Sequence, residues 1–130
     1  MSKDSIGDFL TIIRNGLMRS VGHVQAPYSK LRFDLASILK DEGFVKDVLV
    51  VEDDNKKFIK VLLKYVDGES VIHEIKRVST PGRRSYARAH ELKPVVGGLG
   101  VSILTTSQGI FTNKKAKEKS IGGEIICTVW

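Results

Sequence analysis

The apolar residues change their period at Gly43, and that change constrains the fold more than any other feature of the chain. Before it, Ile6, Phe9, Leu10, Ile13 and Leu17 recur at helical spacing, and so do Leu31, Leu35, Ile38 and Leu39. After it, Ile59, Val61, Leu63 and Tyr65 alternate with Lys60, Leu62 and Lys64, the signature of a strand with two unlike faces. Two amphipathic helices followed by strands bury their apolar stripes by lying on a sheet, which predicts an α+β layer pair.

Local signals set the expected boundaries. Asp4 or Ser5 caps a first helix over residues 4–21, and Ser29 caps a second that Gly43 stops. Residues 24–27 form a short extended piece, with Pro27 where an edge strand ends. Residues 44–52, with Val48, Leu49, Val50 and Val51, have the composition of a buried strand. Asp53-Asp54-Asn55 and Asp67-Gly68 are hairpin turns, the second leading into a strand over 71–78. The first half thus reads α-β-α-β-β.

After Thr80-Pro81-Gly82 the chain turns basic and glycine-rich. The pattern predicts a strand over 84–89, a helical turn over 90–96 interrupted at Pro94, and a bend at Gly97-Gly98-Leu99-Gly100. A strand over 101–105 follows, then a short helix capped by Thr112 and running through Ser120. Gly122-Gly123 is expected to end it before a last strand over 124–130. The expectation is two small packed α+β domains, residues 1–70 and 71–130, the second mainly antiparallel β with one short helix.

At 130 residues and 14.4 kDa there is room for one domain or two very small ones. Residues 1–70 carry 11 Lys/Arg and 11 Asp/Glu, whereas residues 71–130 carry 10 and 4, so the net +6 lies wholly in the second part. A one-sided basic excess points to a polyanion, with nucleic acid the commonest. No apolar run approaches the ~20 residues of a membrane span. The start, Met1-Ser2-Lys3-Asp4, lacks an apolar signal segment. Cys127 is the single cysteine, so neither an internal disulfide nor a cysteine zinc cluster is expected, and a reducing, cytosolic setting follows.

No catalytic constellation is legible. His23, His73 and His90 have neither metal-pair spacing nor an accompanying carboxylate cluster. Cys127 alternates with Ile125 and Val129 as a core thiol would. The glycines at 97, 98 and 100 precede a strand, whereas a dinucleotide loop follows one and opens a helix. The reading is of a protein without enzyme activity, cofactor, metal or small-molecule substrate.

Four features favour binding instead. Arg84, Tyr86 and Arg88 share one face of an extended segment, where two guanidinium groups beside an aromatic ring can pair with phosphates and stack on a base; Arg83 adds charge at the turn. Thr105-Thr106-Ser107-Gln108-Gly109 offers hydroxyls and a carboxamide, and Gly109 lets the backbone turn sharply against a partner. Lys114 and Lys115 open a helix whose dipole disfavours cations there, a broken local rule that a phosphate would offset. Gly122-Gly123-Glu124 combines two close-approach positions with a carboxylate that can accept from a base or orient an arginine.

The chain resembles the family of the eighth protein of the bacterial small ribosomal subunit over essentially its whole length. Asp8-Phe9-Leu10-Thr11-Ile12-Ile13-Arg14-Asn15-Gly16 and Pro27-Tyr28-Ser29-Lys30-Leu31 are similar to its two opening helices. Ile75-Lys76-Arg77-Val78-Ser79-Thr80-Pro81-Gly82 and Gly98-Leu99-Gly100 resemble its central motifs. Thr106-Ser107-Gln108-Gly109-Ile110 with Thr112, then Gly122-Gly123-Glu124-Ile125, resemble its most specific signature. The resemblance implies two small α+β domains and direct binding to the central domain of 16S ribosomal RNA during subunit assembly, in the cytoplasm and beside neighbouring small-subunit proteins. In some members it also implies repression of the operon messenger through a mimic of that site. It places the main RNA contacts around the Thr106-Ser107 loop and the Tyr86 strand, with Lys30 as a lesser one. Asn113 and Lys115 stand where that family often has acidic residues, Thr105 replaces a usual serine, Gly97 a usual asparagine, and Thr128 a common aromatic. A free RNA-binding regulator outside the ribosome is the alternative that the charge argument leaves open.

Overall fold

The computed structural model describes residues 4–130. Met1, Ser2 and Lys3, part of the non-apolar start noted above, lie outside the described residues. The chain divides into two compact units, one ending at Ile72 and the other spanning His73–Trp130. Both combine helix with antiparallel sheet, so the class is α+β.

In the first unit, helix α1 (Ser5–Met18) starts where the Asp4 carboxylate accepts the Gly7 N–H at 3.0 Å. It buries Ile6, Phe9, Leu10 and Ile13. It ends earlier than expected, because Ser20 adopts φ +54° and turns the chain into β1 (His23–Pro27). Helix α2 (Lys30–Asp41) is capped by the Ser29 hydroxyl, which accepts from Arg32 N at 3.2 Å. Gly43, at φ +81°, closes it with the left-handed turn that glycine adopts without strain.

The apolar stripe of α2 departs from the sequence reading. Leu31 is 40% exposed, and its neighbour Arg32 is buried instead. The Arg32 guanidinium donates to the Ser5 carbonyl at 3.0 and 3.1 Å and to the Pro27 carbonyl at 3.0 Å, and it lies 5.7 Å from the centre of the Phe9 ring. One cation thus satisfies backbone groups of α1 and β1 and fastens both to α2.

Strands β2 (Val45–Asp53) and β3 (Lys56–Leu63) form a hairpin closed by Asp54 and Asn55, both at positive φ. The sheet order is β1-β3-β2. Ile59, Val61 and Leu63 of the central strand are buried, as their alternation predicts. The fully buried β2 expected from composition is corrected: Leu49 and Val50 are 43% and 47% exposed, because β2 is an edge strand. Tyr65 belongs not to β3 but to β4 (Tyr65–Val66), which pairs with β5 (Glu69–Ser70) about the Asp67-Gly68 turn.

In the second unit, the strand expected over 71–78 shrinks to β6 (Ile75–Arg77). The strand expected over 84–89 shrinks to β7 (Tyr86–Ala87), followed by a 3-10 turn at Ala89–Glu91 that starts where the Glu91 carboxylate accepts the Arg88 N–H at 2.7 Å. Then come β8 (Val101–Thr106), β9 (Gly109–Thr112), helix α3 (Asn113–Glu118) and β10 (Gly123–Val129). The sheet runs β6-β10-β8-β9, with β7 also paired to β10. Leu92, Leu104 and Ala116 form a core packed by Ala87, Phe111 and Ile125, and Cys127 is buried. Asn113, buried at the start of α3, accepts the Ser102 N–H at 3.2 Å and donates to the Lys93 carbonyl at 3.1 Å. That fixes α3 against the sheet.

Gly122 and Gly123 do not stop α3. Its C-cap is Lys119, and Ser120, at φ +56°, turns the chain. The two glycines are small for another reason: a Cβ at Gly122 would fall on the Ala87 carbonyl oxygen, and one at Gly123 on that of Thr105.

Candidate nucleic-acid interface

Strand register decides which side chains share a face, because residues directly opposite on antiparallel strands project to the same side. Tyr86 of β7 lies opposite Glu124 of β10, Glu124 opposite Thr105 of β8, and Thr105 opposite Ile110 of β9. The next row, Ile125, Leu104 and Phe111, points to the other side and packs beneath α3. The period of two therefore sets a row of Tyr86, Glu124 and Thr105 on one side and the small core on the other.

The row is built as a polar platform. Tyr86 is 70% exposed. Arg84 and Arg88 are exposed with it, whereas Ser85 and Ala87 between them are half-buried, so the alternation holds beyond the two paired residues. Arg84 Nη1 lies 3.0 Å from Glu124 Oε2. The same carboxylate accepts from the hydroxyl of Ser79, which itself accepts the Ser85 N–H at 3.1 Å. The Ser79 hydrogen bond, with help from Arg84 and Arg77, holds the Glu124 carboxyl below its ordinary pKa despite partial burial. Glu124 is thus an anionic anchor that orients Arg84, one of its two expected roles. Ser79 has no role in the sequence reading; it stands only within the Ile75-Lys76-Arg77-Val78-Ser79-Thr80-Pro81-Gly82 motif, where a serine beside a turn carries no weight alone.

The hydroxyl loop is a two-residue hairpin tip. Thr106 pairs with Gly109, and its Oγ1 donates to the Gly109 carbonyl at 2.7 Å and accepts the Gln108 N–H at 3.1 Å. Ser107 and Gln108 are exposed, and Thr105 is half-buried in the row. Thr106 therefore closes the turn and presents the Ser107 hydroxyl and Gln108 carboxamide beyond the row. Gly109 has φ +124°, a conformation side chains rarely tolerate.

The remaining candidates separate. Arg83 is exposed at a tight turn, where its N–H and carbonyl pair with those of Thr80. Lys114 Nζ points to the Gly98 carbonyl at 3.5 Å, and Lys115 Nζ lies 5.3 Å from the centre of the Phe111 ring. Lys30, at the start of α2 in the other unit, pairs with Asp34 at 3.1 Å on an exposed helix face. Gly122 and Gly123 lie alongside Ala87 and Thr105 and keep β7, β10 and β8 close together. His23, His73 and His90 are exposed on separate segments, and no group of three His, Cys, Asp or Glu among the described residues is placed to hold a metal ion. No described helix is long and apolar enough to cross a membrane.

A family model described as "Ribosomal protein S8" matches residues 4–130. The chain is 49% identical over 128 residues to a protein of Limosilactobacillus fermentum named small ribosomal subunit protein uS8, covering 98% of this chain and 97% of that one. It is 44% identical over 131 residues to a protein of the same name from Thermodesulfovibrio yellowstonii, covering 100% of each. A Lactococcus lactis protein so named is 49% identical over 128 residues, covering 98% of this chain and 97% of that one.

Proposed function

The chain belongs to the ribosomal protein S8 family, and on that premise we propose that it is a structural constituent of the small ribosomal subunit that binds the central domain of 16S ribosomal RNA directly. Membership of that family makes it a structural protein of the ribosome and not an enzyme. Its place is then the cytoplasmic small subunit, beside other small-subunit proteins.

The observation that carries the RNA reading is the cross-strand row of Tyr86, Glu124 and Thr105, with the Ser107-Gln108 tip beyond it, in the part of the chain that holds the basic excess. Arg84 and Arg88 supply phosphate contacts, Tyr86 a stacking surface, and the tip hydroxyls and carboxamide partners for 2′-hydroxyls and base edges. Arg83 adds charge at the turn before this face, Lys114 and Lys115 add it on α3 on the other side of the sheet, Gly122 and Gly123 keep β7, β10 and β8 close together, and Lys30 is a lesser contact from the first unit. An operon messenger that reproduced the ribosomal site would bind the same face and be repressed by it. The test is a footprint on 16S RNA with the purified chain. Protection confined to an irregular helix of the central domain is expected, and protection spread evenly over the RNA would refute the assignment.

A further inference from the structure

The four lysines of the α3 region, equivalent by sequence, differ in the structure. Lys114 reaches toward the Gly98 carbonyl, and Lys115 and Lys119 lie 5.3 and 5.7 Å from the centre of the Phe111 ring. Lys117 instead lines a surface groove of the second unit. The groove is lined by the segment 86–91, with Tyr86, Arg88 and His90, together with Lys117, Ser120, Gly122 and Gly123. Neither Arg88 nor Lys117 pairs with a carboxylate among the described residues. Glu91 also lines the groove, but one of its oxygens is held by the Arg88 N–H.

We propose that this groove is a further contact for the RNA backbone, in which Lys117 binds a phosphate next to the one held by Arg88. The proposal rests on the reading that the Tyr86–Glu124–Thr105 face binds ribosomal RNA. Tyr86 belongs to both surfaces, so a strand stacked on its ring continues into the groove. Two like charges lining one groove repel each other at a cost that falls when an anion sits between them. A mononucleotide would offer the same phosphate chemistry, but Tyr86 lines both the groove and the stacking face, which favours a polymer.

The experiment measures equilibrium binding of a 16S central-domain fragment at several salt concentrations for the wild-type chain, Lys117→Ala, Arg88→Ala and Lys119→Ala, with thermal melting of each free protein. Lys117→Ala and Arg88→Ala are expected to weaken binding at low salt and to flatten the plot of log affinity against log salt by roughly 0.7–0.9 each, the loss of one phosphate contact. Lys119→Ala is expected to keep the wild-type slope. Tight wild-type binding with an unchanged slope in Lys117→Ala would overturn the groove while leaving the main face intact. Absence of binding by the wild-type chain would overturn the functional reading and the groove with it. A nucleoside monophosphate that raised the melting temperature of the wild-type chain but not of Lys117→Ala would mark a mononucleotide site and overturn the assignment to a polymer.

Discussion

The Ser79 hydroxyl, 1% exposed, donates to the Glu124 carboxylate 45 residues further along the chain. Through its second bond, from the Ser85 N–H, it ties the turn that carries Arg83 and Arg84 to the central strand β10. The position of the arginines beside Tyr86 therefore depends on a serine that touches no solvent.

Ser79→Ala is expected to lower folding stability by about 1–3 kcal/mol, the usual cost of leaving buried hydrogen-bonding partners unsatisfied. RNA affinity should fall as well, since the Glu124 carboxylate that accepts from Arg84 is no longer held by the Ser79 hydroxyl. Urea unfolding paired with RNA binding checks this; wild-type values in both would show that the hydroxyl positions nothing.

Glu124 makes stability depend on pH in a defined direction. Its carboxyl titrates below its ordinary value in the folded chain because the Ser79 hydroxyl, and then Arg84, favour the charged form. A depressed folded pKa contributes stability that is fully present above the unfolded value of about 4.3 and lost as pH falls through the folded value. Glu124→Gln should therefore be less stable than wild type at neutral pH, with the gap closing on acidification below about 4.3. Melting curves of both proteins across that window decide it, and a gap of constant size would rule out the linkage.

Ser107→Ala should weaken cognate RNA by about 1–3 kcal/mol while leaving the fold nearly unchanged, because the side chain is exposed at a hairpin tip. Gly109→Val should damage binding more. Nothing lies within 4 Å of a Cβ placed at Gly109, so its cost is backbone strain at φ +124° and not a clash. Thermal melting and RNA binding of the two variants, measured together, separate the effects. Wild-type binding by both would remove the loop from the interface.

Gly123→Ala should destabilise the second unit toward the upper end of the ~1–3 kcal/mol typical of overpacking, since its Cβ would meet the Thr105 backbone carbonyl. Gly82→Ala, where a Cβ meets nothing within 4 Å and φ is not left-handed, should change stability by less than about 0.5 kcal/mol. Equal melting temperatures for the two variants would contradict the close packing of β8 and β10.

RNA affinity should fall steeply with salt, by roughly 0.7–0.9 log units per log unit of salt for each phosphate contacted. Lys114→Ala and Lys115→Ala should weaken cognate and scrambled RNA alike, because a lysine at a phosphate carries little sequence information. A flat salt titration would remove the electrostatic account.

Features encoded within a few residues were legible from the sequence. Asp4, Ser29 and Thr112 cap their helices because a side-chain oxygen needs only an N–H three residues on. Gly43, Asp54-Asn55 and Asp67-Gly68 turn because their residue types tolerate positive φ. The alternation of residues 84–88 placed Arg84, Tyr86 and Arg88 together, and the polar run 105–109 read as a loop after the strand over 101–105, although the return strand β9 did not.

What escaped the sequence depends on partners far along the chain. Leu31 has the helical spacing of a core residue, yet Arg32 takes the inward place because its guanidinium reaches the carbonyls of Ser5 and Pro27. Val50 looks buried until β2 becomes an edge strand.

By itself, then, the sequence determined the α+β pattern, the helix caps, the turns and the one-sided charge, all of which are set by neighbours within a turn or a strand period. Only the tertiary structure decided that Ser79 anchors Glu124, that Gly122 and Gly123 are small to admit Ala87 and Thr105, and that Lys117 lines the groove of Arg88 while Lys115 covers Phe111. The physical reason is that strand register and helix docking fix these contacts, and both are chosen by burying apolar side chains from the whole unit at once, which no local pattern records.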